Sequence, residues 1–184
     1  CGFYQPTQDL ANAFQTDSNG LPMSNWATSD ITNDAGVDSG GSFTPHSGPL
    51  DPRIDFTVGR RGIDYNGYGP FTGKENIRAS FTDISGPYAA KKSMYTAGDD
   101  TNKGTGGWGE QRSGINYHII RYADVLLMAA EAAVETGSLE KARGYVNQIR
   151  TRAKNSPTAD SSPNYVIGTY DSSWTDASAA RNAV

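Results

Sequence analysis

"RYADVLLMAAEAAVETGSLEKARGYVNQIRTRA" (Arg121–Ala153) is the most regularly patterned stretch of the chain, and its reading sets the fold class. Ile119, Ala123, Leu126, Leu127, Ala130, Ala133 and Val134 fall on one face of a helix. Gly137 suits the left-handed residue that closes a helix. Ser138 is then the expected N-cap of a second helix, with Glu140 at the positive end of its dipole. That helix places Leu139, Ala142, Tyr145, Val146, Ile149 and Ala153 on one face, and Pro157 stops it. Ala129, Ala130 and Ala133 are small where the helices must meet. Gly144, which costs ~1 kcal/mol against Ala in a helix, reads as a second point of close approach.

The spacing of Ala130, Gly137, Ala142 and Val146 also fits a tetratricopeptide-type hairpin. Such repeats bury their faces on neighbours, in arrays of roughly three or more units. The sequence holds no second good copy. The hairpin is therefore expected to lack partners within this chain, as is the helix that begins in "DASAARNAV" (176–184).

The remainder is a different kind of sequence. The chain has 184 residues, of which 36% are apolar and 21 are Gly, so one loop-rich domain with a modest core is expected. Net charge is -4 and the basic residues are scattered, which argues against a nucleic-acid surface. No apolar run approaches the ~20 residues of a membrane-spanning helix. A single cysteine, Cys1, excludes an internal disulfide and a cysteine-based zinc site. As a first residue Cys1 has the position of a lipid-bearing cysteine, but "GFYQPTQDLANAF" follows it where a polar tether would be needed. It is read as an internal residue of a truncated chain.

Several catalytic signatures fail on context. "GTGGWG" spaces Gly104, Gly106 and Gly109 as a dinucleotide fingerprint, but "GDDTNK" precedes it where a strand is required. "VDSGG" (37–41) resembles a serine-nucleophile loop, yet His46 and His118 both lie downstream of Ser39, against the trypsin-like order. "SLEK" (138–141) matches S-x-x-K without the companion motifs of penicillin-binding enzymes. "DDTNKG" suggests calcium. Counted from Asp100, however, the fifth position is Gly104 and the twelfth is Gln111, so the EF-hand pattern breaks twice. No cofactor is expected, and calcium has no motif to support it. Asp124, three residues after Arg121, reads as half of a structural ion pair.

The aromatic residues stand out by position. Tyr65, Tyr68 and Phe71 sit in "GIDYNGYGPF", Trp108 in "GTGGWGE", and Trp26 after "GLPMSN". Rings in Gly- and Asn-rich loops either pin those loops or present a face to ligand. As a set they suit a sugar, whose C–H face stacks on a ring while its hydroxyls meet polar groups. The candidate binding residues are Trp108, Tyr65, Tyr68, Phe71 and Trp26, with Asn102, Glu110 and Gln111 as hydroxyl partners.

In order, "PTQDLANAF" (6–14), "GLP" (20–22), "DPRIDFTVG" (51–59), "KK" (91–92), "RYADVLLMAAEA" (121–132) and "YVNQIRTRA" (145–153) resemble the SusD/RagB family. The resemblance implies a mainly α fold of tetratricopeptide-type hairpins with long irregular loop insertions. Residues 1–184 would then be part of one such domain, truncated at both ends. Within it, 1–115 is a loop-rich ligand-facing region with a short helix near 6–15. Residues 116–155 form the hairpin, and 156–184 a loop and the start of a helix. The family implies a surface-exposed outer-membrane lipoprotein, with its lipid anchor outside this stretch. Its members capture oligosaccharides without catalysis and hand them to a SusC-like TonB-dependent transporter. No site residue carries over by motif. A tetratricopeptide-type protein-interaction scaffold with no sugar ligand is the alternative.

Overall fold

A computed structural model describes residues 4–38, 40–76, 86–105 and 113–184. The architecture is mainly helical, with long connecting loops. The hairpin consists of α2 (Tyr122–Glu135) and α3 (Leu139–Asn155). Another helix, α1 (Gln8–Asn12), lies near the start, and α4 (Ala177–Ala183) near the end. Two short strands, β1 (Val58–Gly59) and β2 (Ala89–Ala90), pair antiparallel, with Val58 opposite Ala90.

The hairpin turn follows from its glycine. Gly137 takes φ +76°, its N–H donates to the Val134 carbonyl at 3.0 Å, and Ser138 N–H donates to Ala133 at 2.8 Å. Those two bonds satisfy the carbonyls left open at the end of α2. The Ser138 hydroxyl makes no capping bond, contrary to expectation; Glu140 instead accepts from Arg143 and from the Trp174 amide, at 2.8 and 2.6 Å. Helix α2 begins at Tyr122, because the Asp124 carboxylate accepts from the Arg121 backbone N–H at 2.9 Å and its guanidinium at 3.0 Å. Ile119 therefore lies outside the helix and is 86% exposed.

Two further expectations are corrected here. Gly144 is not a point of close approach: a Cβ added there would meet nothing within 4 Å. Its position faces solvent, and the hairpin closes on Ala130, Ala133, Val134, Ala142 and Val146 instead. Nor does the hairpin stand alone. Ala180 of α4 is buried in the same cluster, and Tyr170 and Trp174 pack against it as an edge-to-face pair 5.3 Å apart. Arg181 of α4 is tied to Glu135 at 2.6 Å.

The N-terminal body has its own core of Ala11, Ile31, Leu50, Ile54, Val58 and Tyr88, with Phe14 and Tyr165 packed on it. Helix α1 opens on Thr7, whose hydroxyl accepts from Leu10 N–H at 3.1 Å. Asn12, fully buried, organises the loops above the core. Its Oδ1 accepts from Gln8 and the Ile31 amide at 2.8 and 3.0 Å, and its Nδ2 donates to Asp30 at 2.7 Å. "DPRIDF" folds as a 3-10 turn over Pro52–Phe56, capped by Asp51, and buries Asp55. Arg60 clamps that carboxylate with two bonds of 2.7 Å, and the Tyr165 hydroxyl donates to it at 2.5 Å. A buried carboxylate is tolerable only when its lone pairs are filled in this way.

Residues 164–170 join the two parts. Leu50 N–H donates to Asn164, Val166 N–H to Leu50 and the Thr16 hydroxyl to Val166, all within 3.0 Å. Gly20 and Gly168 then approach so closely that a Cβ on either would collide with the other's backbone region. Arg150 of α3 fixes this crossing by donating to the carbonyls of both Gly168 (2.6 Å) and Gly20. The Asn147 side chain pairs with the Tyr170 backbone in both directions, at 2.8 and 2.9 Å.

Candidate functional site

The loop "DYNGYG" (64–69) is braced from several sides. Asp64 accepts from the N–H groups of Gly67 (2.7 Å) and Gly69 (3.1 Å), and Asn66 sits at φ +53° with its carbonyl accepting from Ala97 N–H at 2.9 Å. The Asp64 amide is held by Asp160 at 3.0 Å, and its carbonyl by buried Lys91 at 2.7 Å. Desolvation pushes the Lys91 ammonium below the usual lysine range, offset in part by Asp55 and Asp64.

Three rings of this region, alike in sequence context, have different fates. Tyr65 is half-buried; its ring covers Gly59, where a Cβ would run into it, and its hydroxyl donates to the Ala90 carbonyl at 2.6 Å. Phe71 packs 5.1 Å from Tyr65 and is only 3% exposed, so most of its ring is spent on packing within the loop. Tyr68, at the tip, is 57% exposed. Two of the rings therefore build the loop, and the third is displayed by it.

Beside this loop lies an open cleft of about 280 Å³, bordered by Gly40, Gly41, Phe43, Arg61, Pro70 and Phe71. Arg61 is fixed there. Its Nη2 donates to the Gly41 carbonyl at 2.9 Å, its Nη1 lies 3.5 Å from Asp34, and its guanidinium carbon is 5.9 Å from the centroid of the Phe43 ring. Sequence reading passed over Phe43 and Arg61. "GGSFTP" offers the same signal as the chosen loops, a ring among Gly and Ser, whereas nothing local distinguishes Arg61 from its buried neighbour Arg60.

Compared with known families, residues 1–182 match the model described as the SusD family. The chain belongs to the SusD family. A search of curated proteins finds no match. SusD-family proteins are glycan-binding, non-catalytic components of nutrient uptake associated with the outer-membrane surface.

Two other candidate residues of this SusD-family chain, Trp26 and Asn102, lie among the described residues. Trp26 lies on a 3-10 turn (Trp26–Thr28) and is 37% exposed. Asn102 is spent on closing its own loop: it donates to Asp99 at 2.8 Å and its carbonyl accepts from Gly114 N–H at 2.7 Å. The bonds from Asn102 and Thr101 hold the exposed Asp99 carboxyl below the usual range. Trp108, Glu110 and Gln111 lie outside the described residues. Among the described residues no group of three or more His, Cys, Asp or Glu could hold a metal ion, and no helix is long and apolar enough to cross a membrane.

Proposed function

We propose that this chain captures oligosaccharides at the outer-membrane surface, without cleaving them, for import through a SusC-like TonB-dependent transporter. The whole protein would be held at the membrane by a lipid anchor. The observation that carries the reading is the family match over residues 1–182. The braced loop supports it: a stacking ring on an already ordered backbone loses little freedom when ligand arrives. Tyr68 is assigned as a platform for the apolar face of a pyranose ring, with Trp26 as a second exposed ring.

Glycan-array binding by the full-length protein, followed by product analysis of the bound sugars, tests the proposal. Binding with the oligosaccharide recovered intact is expected. Absence of binding across the array, or release of shortened products, overturns it. Tyr68→Ala should weaken binding at least ~10-fold, the cost of truncating a central ring, while its melting temperature stays within ~2 °C of wild type. Unchanged affinity would move the platform elsewhere.

A further inference from the structure

His46 is tied to a remote backbone group in a way that only a neutral ring allows. Its Nδ1 accepts from the Thr32 N–H at 3.2 Å. Its Nε2 lies against Gly48, where an added Cβ would stand 2.5 Å from it. Thr32 follows Ile31, which is buried and whose amide donates to the Asn12 side chain at 3.0 Å. The chain that leaves Thr32 and returns at His46 carries Gly41 and Phe43, two residues bordering the cleft of about 280 Å³. The His46–Thr32 bond closes the base of that stretch.

A backbone N–H needs a lone pair to donate to, and a protonated imidazole has none, because both ring nitrogens then carry hydrogen. The Thr32 hydroxyl, 3.5 Å from Nδ1, can accept from a charged ring only once the amide has turned aside. The charged side chains on the neighbouring stretches are engaged elsewhere. Asp30 accepts from Asn12 at 2.7 Å, Asp34 lies 3.5 Å from Arg61, Asp51 is bonded to Arg53, and Arg60 clamps Asp55. Of these groups Arg60 acts on the ring, and it repels a second positive charge. We infer that His46 is an acid-sensitive latch: neutral, it holds the Thr32 amide, and protonated, it releases the base of the stretch that brings Gly41 and Phe43 to the cleft. Burial, followed by the charge of Arg60, pushes the ring below the ordinary histidine value of about 6.5. The neutral ring's contribution is therefore complete above that value and is lost as pH falls below it, toward the lowered native pKa. The latch works in the same way whatever occupies the cleft.

Residue-resolved hydrogen exchange on the full-length protein, corrected for the intrinsic pH dependence of exchange, tests this. Between about pH 7.5 and pH 5 the protection of the Thr32 amide should fall ~3-fold or more, while that of Ile31 next to it stays constant. His46→Asn places a side-chain oxygen where Nδ1 stood and has no proton to gain in this range, so its Thr32 amide should keep its protection at pH 5. No fall at Thr32 in the wild type overturns the latch. So does a fall that persists in His46→Asn, and so does an equal fall at Ile31, which would mean that acid loosens the whole region. If His46→Asn does not fold, or leaves Thr32 open already at neutral pH, the ring itself decides. The midpoint of the Thr32 change in the wild type must then coincide with the titration of the His46 imidazole followed by NMR, and two separate midpoints overturn the latch.

Discussion

At the scale of single residues, stability is concentrated where backbone and charge have no alternative. Gly20 and Gly36 both adopt left-handed φ, +76° and +78°, so an alanine at either carries the same ~1–2 kcal/mol backbone cost. Their surroundings differ. A Cβ at Gly36 meets nothing within 4 Å, whereas at Gly20 it would strike the backbone of Ile167 and Gly168. Gly36→Ala should therefore cost only the backbone term, and Gly20→Ala at least ~2 kcal/mol more. Denaturant unfolding of the two variants decides, and equal losses would remove the close crossing. The Asp55 site makes a parallel case. Tyr165→Phe removes one donor and leaves the Arg60 clamp, for ~1–2 kcal/mol. Asp55→Ala strands a buried guanidinium and should cost ~3–5 kcal/mol. Burial, followed by the bond to Asp55, pushes the Tyr165 hydroxyl far above the usual tyrosine range, so this donor keeps its proton throughout the accessible pH range.

At the scale of elements, the hairpin makes the contrast between a crowded and an empty position. Ala130 is fully buried between helices, and Ala130→Leu should cost ~1–3 kcal/mol by overpacking. Gly144 faces open space on α3, so Gly144→Ala should stabilise by ~0.5–1 kcal/mol through helix propensity. Thermal melts moving in opposite directions are the expected result; a destabilising Gly144→Ala would restore the close approach read from sequence. Apolar periodicity identified the buried faces of α2 and α3 because a helical face needs only local spacing. It could not interpret Gly144, since a glycine in a helix looks the same whether something packs on it or not. Asn147 and Arg150 were equally opaque, being polar residues whose partners at Tyr170, Gly168 and Gly20 lie far away in the chain. The candidate site divides on the same ground. Tyr65, Tyr68 and Phe71 have indistinguishable Gly- and Asn-rich contexts; contacts with Gly59 and Ala90, outside that stretch, turn Tyr65 inward, and Phe71 packs on its ring.

At the scale of the molecule, two separate apolar clusters are bridged by residues 164–170, and Arg150 is the bolt at the crossing. Its ring contact with Tyr170, 5.4 Å from guanidinium to centroid, adds to the two carbonyl bonds. Burial pulls this guanidinium below the usual arginine range, a sign that much of its hydration has been given up for those contacts. Lysine keeps the charge but lacks the rigid planar fork that sets two separate nitrogens on the two carbonyls. Arg150→Lys should therefore loosen the crossing by ~1–3 kcal/mol without disturbing the packing of either cluster. Hydrogen exchange resolves this location by location. The amides of Val166 and Gly168, which donate to Leu50 and Gly20 across the crossing, should exchange ~10-fold faster or more. Amides in the middle of α2, such as that of Ala130, should keep their wild-type protection, because their bonds and packing lie within the hairpin cluster. A uniform rise across both regions would mean that the two clusters unfold as one unit. No rise at Gly168 would mean that the glycine pair holds the crossing unaided.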